Sequence, residues 1–298
     1  MTQGNRWGVG YRVHFRDERG RILVGDSLTS FEDDDDLADA VVLGASFAGR
    51  PTGILPIRQG ARGWIAHEGG PGKDAAGTAG LPLADEYGVP AAAIATAEAR
   101  LSGGETLLTG HVAAVNDAAR DVGVRLGMSG EEAAKHMLDA PAGTPHDVEG
   151  VVDESIHVQH ESDRGRILAV WSSSRISGDL SRDVLVVASH GAKVMATYAL
   201  RTKPRGLICN DAGFGLDRSG VEGLETLDEH GIAAAAVSTD SARIGDPLST
   251  WDDGVLSTVN RAASALGVRV GMSVPEAAEL MLRGESARPA PADPPMSQ

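Results

Sequence analysis

The chain reads as an α/β protein made of two tandem homologous α/β units, an internal duplication, with mainly parallel sheets covered by helices in a pseudo-two-fold arrangement. Three observations carry that reading. Residues 62–100 align without a gap to 205–243, and after a one-residue slip 110–138 align to 254–282. The offset, about 143 residues, is close to one domain length and far above a solenoid repeat. Within each copy, short apolar runs alternate with helical segments, the pattern of a parallel sheet with crossover helices. The expected boundaries are a first unit at 1–138 with an N-terminal β-hairpin, a linker at 139–150, a second unit at 151–283 and a disordered Pro-rich tail at 284–298.

The elements follow in order. A strand, the turn Asp17-Glu18-Arg19-Gly20 and a second strand Arg21–Val24 form the hairpin. Phe31–Asp39 is an acidic, solvated stretch. Val41–Ala45 and its counterpart Val184–Ala188 are apolar strands ending in small residues, each followed by a serine, Ser46 or Ser189. Helices over Thr52–Arg58 and Lys193–Leu200 come next, then the strands Gly63–Ala66 and Gly206–Cys209, which do not alternate and so are buried on both faces. Helices over Ala75–Tyr87 and Arg218–His230 are each closed by a glycine, Gly88 or Gly231. Third strands run Val89–Ala95 and Ile232–Ser238. A long helix (107–122 and 250–266) and a short one (130–138 and 274–283) complete each unit, the short ones opened by the capping boxes Ser129/Glu132 and Ser273/Glu276. The second copy carries extra material, with a strand at Arg166–Ser172 preceded by a polar loop, Asp153–Asp163.

Composition narrows the class of function. A net charge of −15 without a basic stripe argues against nucleic acid, whose phosphates need Lys and Arg. Cys209 is the only cysteine, which excludes an intrachain disulfide or a thiolate cluster. No apolar run approaches a membrane span, and the first residues do not pattern as a signal peptide. A cytoplasmic protein with a small-molecule substrate, no membrane partner and a homo-oligomeric state is the expectation. No cofactor is implied, because Gly213 and Gly215 lack the remainder of a nucleotide-binding fingerprint; a divalent metal held by His67, Glu68 and Asp211 stays open.

The chemistry is expected at the carboxyl ends of the second unit's strands. Three of them end in polar clusters: Ser189-His190-Gly191, Asn210 to Asp217, and Thr239 to Asp246. Ser189, His190 and Asp211 suggest nucleophile, base and orienter, provided that the strand bends so that neighbouring side chains converge; Lys193 is a second candidate base. Gly213 and Gly215 could offer backbone N–H groups to an anion, with Asn210, Thr239, Ser241 and Arg243 around the substrate. The first copy keeps Ser46, Glu68 and Arg100 but has Phe47 opposite His190 and His67 opposite Asn210, and His67, Glu68 and Arg100 are expected to join the substrate contacts. Hydrolysis of a C–N bond (amide or imide) in a small polar or anionic metabolite is the leading expectation. A lyase or isomerase using His and Asp for proton transfer, and a non-catalytic binding protein for an anionic metabolite, are the alternatives.

Overall fold

Apolar runs placed where the two copies agree become the central strands of two sheets. The structure, a computed structural model, describes residues 3–4, 10–34 and 36–284. The Pro-rich tail lies outside the described residues except for Gly284, as does Asp35 of the acidic stretch.

The first unit runs β1 (Gln3–Gly4), β2 (Gly10–Arg16), β3 (Arg21–Gly25), β4 (Ala40–Phe47), α1 (Arg50–Arg58), β5 (Gly63–His67), α2 (Gly80–Glu86), β6 (Ala91–Ile94), α3 (Gly104–Thr109), β7 (Val112–Val115), α4 (Asp117–Asp121) and α5 (Gly130–Met137). The second runs β8 (His157–Ser162), β9 (Gly165–Val170), β10 (Val184–His190), α6 (Lys193–Thr202), β11 (Gly206–Asn210), α7 (Gly223–Glu229), β12 (Ala233–Val237), α8 (Pro247–Asp253), β13 (Leu256–Val259), α9 (Arg261–Ala265) and α10 (Val274–Arg283). Strand order is sequential in both sheets. Strands β3 to β6 and β9 to β12 are parallel, flanked by antiparallel β2 and β7 in one sheet and β8 and β13 in the other.

Because the order advances steadily, right-handed crossovers lay successive helices on one face. In the first unit Val42 and Trp64 pack there with Ile54 and Leu55 of α1 and Leu83 of α2. The opposite face joins Val41, Leu43 and Ile65 to Leu107 of α3 and Met137 of α5. The second unit repeats the scheme, with Met195 of α6 and Leu227 of α7 on one side and Ala278 and Met281 of α10 on the other. Neighbouring strand residues thus serve different cores, which explains the unbroken apolar runs.

The structure corrects four expectations. The helices at 107–122 and 250–266 are each a helix, an edge strand and a second short helix. Gly110 and Gly254 end α3 and α8, and the strand that follows pairs antiparallel with β6 or β12. His157–Ser162 is not a loop but an edge strand paired with β9. The helices expected from Ala75 and Arg218 begin later, at Gly80 and Gly223, because Asp74, Ala75, Asp217 and Arg218 hold left-handed backbone angles (φ 53° to 58°). Within the segment 139–150, Val148 is buried in the first unit's core. The capping box is complete at Ser273, whereas Ser129 supplies only the hydroxyl half, accepting from Glu132 N–H at 3.3 Å.

Two asparagines hold the corrected region. Asn116 Oδ1 accepts from Ala91 and Ala119 N–H, both at 2.9 Å, and its Nδ2 donates to the carbonyls of Val89 (2.9 Å) and Leu81 (3.4 Å). Asn260 does the same with Ala234, Ala263, Ile232 and Leu224. Each therefore caps a helix and ties it to strand β6 or β12. Replacing either by alanine strands several buried backbone groups, and we expect a loss of about 2–4 kcal/mol on urea unfolding. A loss below about 0.5 kcal/mol, the scale of an ordinary surface change, would refute the assignment.

Candidate functional site

The carboxyl ends of the two sheets face each other. Gly70 and Gly213, related by the repeat offset, meet there with φ of 51° and 67°. A Cβ on Gly70 would fall 2.7 Å from Gly213 Cα, and one on Gly213 2.8 Å from Gly70 Cα, so backbone lies against backbone. Around this contact the ion pairs are reciprocal. Arg100 Nη1 donates to Asp217 Oδ2 at 2.7 Å, and Arg243 Nη1 donates to Asp74 Oδ2 at 3.0 Å. An apolar plug of Phe47, Leu101, Ala192, Ala212 and Ile244 fills the space beneath.

Most of the residues singled out in the sequence belong to this junction. His67 Nδ1 accepts from Gly69 N–H at 2.8 Å, and its Nε2 donates to Ala99 O at 3.1 Å. Asn210, in the other copy, accepts from Ala212 N–H at 2.8 Å and donates to Ala242 O at 3.4 Å. The imidazole therefore makes the two bonds that the amide makes at the equivalent place. Glu68 accepts from the N–H and hydroxyl of Thr96. Asp211 accepts from Gly213 and Thr239 N–H, both at 3.0 Å, and from the Ser257 hydroxyl at 2.7 Å. His67, Glu68 and Asp211 are thus each engaged within these loops.

The glycine loop is likewise occupied by the protein. Gly213 N–H goes to Asp211, and Leu216 N–H, just after Gly215, donates to Ala99 O of the other unit. Ser241 Oγ donates to Ser238 O and accepts from Val255 N–H, while Thr239 O accepts from Lys73 N–H. Arg100 also reaches Glu222 at 2.8 Å, and Arg243 reaches Asp246 at 3.1 Å. Lys193 pairs with Glu222 at 3.0 Å.

Ser189 and His190 lie elsewhere, in a narrow cavity of about 20 Å³ formed between the ends of β3, β4, β9 and β10. The first unit supplies Ser27, Thr29 and Ser46; the second supplies Ser172, Ser173, Ser189, His190 and Tyr198. Phe47, Val194, Met195 and Trp171 give apolar surface. A register irregularity between Val186 and His190 explains how neighbouring residues of one strand share a cavity; strand β4 has its equivalent between Gly44 and Phe47. The Tyr198 hydroxyl meets Thr29 Oγ1 at 3.0 Å, joining the units across the cavity wall.

The two serines differ in their bonding. Ser46 Oγ lies 3.0 Å from Ser27 Oγ and accepts from Leu28 N–H at 3.0 Å. Ser189 Oγ has no hydrogen-bond partner among the described residues, and the residue is 7% exposed. His190 Nδ1 accepts from Ala192 N–H at 3.3 Å, so the neutral ring carries its proton on Nε2. Burial, with His67 nearby, pulls the ring's pKa down to about 3. Phe47, its counterpart in the first unit, meets it edge-on at 6.5 Å between ring centroids. A neutral imidazole so held donates a hydrogen bond more readily than it takes a proton. Asp211, with its oxygens on three other donors, is not hydrogen-bonded to His190.

Sequence reasoning missed Ser27, Thr29, Trp171, Ser172, Ser173 and Tyr198. The readable signal was two hydroxyl-rich runs, Ser27-Leu28-Thr29-Ser30 and Ser172-Ser173-Ser174, each directly after an apolar strand in its own unit. In both, the leading serine accepts from the N–H two residues on and opens a short turn.

The buried histidines make stability depend on pH. His67 is held near 4 by burial and His190 near 3, both below the ordinary 6.5. The unfolded chain therefore binds more protons through this window, and stability present above pH 6.5 is lost as pH falls toward 4. We expect His67→Asn to keep stability at pH 8 within about 1 kcal/mol, because both bonds survive, and to flatten the acid slope of the urea midpoint. Equal slopes in parent and variant would refute the neutral, bond-sharing role.

Among the described residues no helix is long and apolar enough to cross a membrane. No protein-family model, curated protein or solved structure matches this chain.

Proposed function

We propose that the protein binds a small polar metabolite in the cavity between its two units, with Ser189 and His190 as the groups that touch it. The carrying observation is the asymmetry of the paired serines: Ser46 is fastened to its own unit, while the Ser189 hydroxyl has no protein partner among the described residues. A cavity-lining hydroxyl without a protein partner is free to donate to, or accept from, a bound group. The cytoplasmic, small-molecule setting expected from the acidic composition and single cysteine belongs to this reading.

The second reading is hydrolysis of a C–N bond, and the free hydroxyl beside an imidazole favours it. Ser189 Oγ would attack a carbonyl carbon, its proton passing to His190 and then to the departing nitrogen, and water would then cleave the acyl-serine, releasing the acid and returning a proton to Ser189 Oγ. That route needs an unprotonated Nε2, hence the other tautomer, and gives up the Ala192 N–H bond. It would also proceed without a carboxylate on the ring. The lyase or isomerase alternative meets the same obstacle, since it too asks His190 to take a proton. Binding therefore ranks first.

The test is a thermal-shift screen of small carboxylates, amides and imides against the parent, Ser189→Ala and His190→Phe, the last placing in the second unit the residue that the first already has. We expect compounds that stabilise the parent to bind each variant about three- to tenfold more weakly, the scale of one hydrogen bond. Turnover abolished in Ser189→Ala with binding retained would promote hydrolysis to first place. Equal stabilisation of all three proteins would sink the site.

A further inference from the structure

Trp171 and Ser173 sharpen what the cavity accepts, and the inference rests on the cavity being the ligand site. Both residues line it, at 1% and 3% exposure, and neither the indole Nε1–H nor the Ser173 hydroxyl has a hydrogen-bond partner. Indole N–H is a donor only. The neutral His190 ring adds a second donor at Nε2, and Ser189 a hydroxyl that can donate. Among the described residues, no lysine, arginine, aspartate or glutamate lines the cavity.

We infer that the cavity receives the uncharged carbonyl end of its ligand, whose oxygen accepts from Ser189 and His190, with Trp171 and Ser173 as unpartnered donors in the surrounding wall. A cationic group would meet donor-only Trp171 with no carboxylate to balance its charge. An anionic end, carboxylate or phosphate, would be desolvated without a facing cation, at high cost. The present volume, about 20 Å³, is room for about one water-sized group, so a ligand enters by its terminal oxygen and not as a whole metabolite.

The test is two-dimensional amide and indole NMR on the ¹⁵N-labelled full chain, titrated separately with acetamide, acetate, methylammonium and inorganic phosphate at millimolar concentration. Tryptophan signals are assigned by single Trp→Phe replacement, and Ser173→Ala provides a mild second variant. The expected result is that acetamide shifts the Trp171 indole signal and the Ser189 amide, with binding at least threefold weaker in Ser173→Ala. If acetate, methylammonium or phosphate shifts those signals instead, the ligand class is wrong while the site stands. Shifts confined to residues outside the cavity would overturn both the class and the site. Should none of the four probes move the Trp171 signal, the ligand class is overturned, and the site is then judged by the thermal-shift screen alone.

Discussion

Gly70 and Gly213 touch backbone to backbone where the carboxyl ends of the two sheets meet, and this contact sets how closely the halves approach. A side chain at either place would fall within 3 Å of the opposing backbone, too close for the loops to keep their positions. The nearness has a cost in each loop. Asp74 and Ala75, like Asp217 and Arg218, are held in the left-handed region that L-residues avoid, at roughly 1–2 kcal/mol each. That conformation brings Asp74 and Asp217 to the arginines of the opposite unit. The ion pairs are partly exposed, Asp217 at 67% of its side chain, so each is worth at most about 1 kcal/mol. Burying Phe47, Leu101 and Ile244 contributes more, on the order of 1.5–3 kcal/mol apiece. The glycines thus set the distance, the apolar plug supplies the energy, and the charges fix the register.

The same geometry makes the cavity. Once the strand ends oppose each other, the turns after β3 and β9 and the bulged ends of β4 and β10 must share one small space. Their hydroxyls arrive in pairs because the chain is duplicated: Ser46 with Ser189, and Ser27 with Ser172 at the matching turns. Hydroxyls suit such a place, since each can donate or accept and so can satisfy turn N–H groups and one another without a buried charge.

Much of the scaffold was legible in the sequence, for reasons that can be named. The parallel strands announced themselves as apolar runs, and the terminal helices by the serines and glutamates that open them. The antiparallel edge strands β7 and β13 escaped because Val112–Val115 and Leu256–Val259 are only four residues long and continue the apolar count of the flanking helices. Gly110 with Asn116, and Gly254 with Asn260, are the punctuation that separates them. At the site, Ser189 and His190 were visible as a strand-end pair. Their partners were not, because the cavity joins turns from both units, and no local spacing encodes that contact. The strand-end arginines and acids read as substrate contacts because polar residues at that edge usually face a ligand; here each has a protein partner.

A difference between two copies is informative only when it changes what the surroundings require. His67 opposite Asn210 looks like a histidine that has moved between strand ends, yet both side chains join the same kinds of backbone group. An imidazole with a lone pair on one nitrogen and a proton on the other presents the same donor and acceptor as a carboxamide, so the exchange keeps the loop and adds no chemistry. Phe47 opposite His190 is different in kind. Both rings border one cavity and face each other, so the substitution places one polar and one apolar wall around the same space. The unequal fastening of Ser46 and Ser189 acts in the same sense, leaving the free hydroxyl on the polar side. A space made by duplication would otherwise present matching walls, and a ligand could enter it in two equivalent orientations. These two positions remove that equivalence and leave the cavity with one polar and one apolar wall.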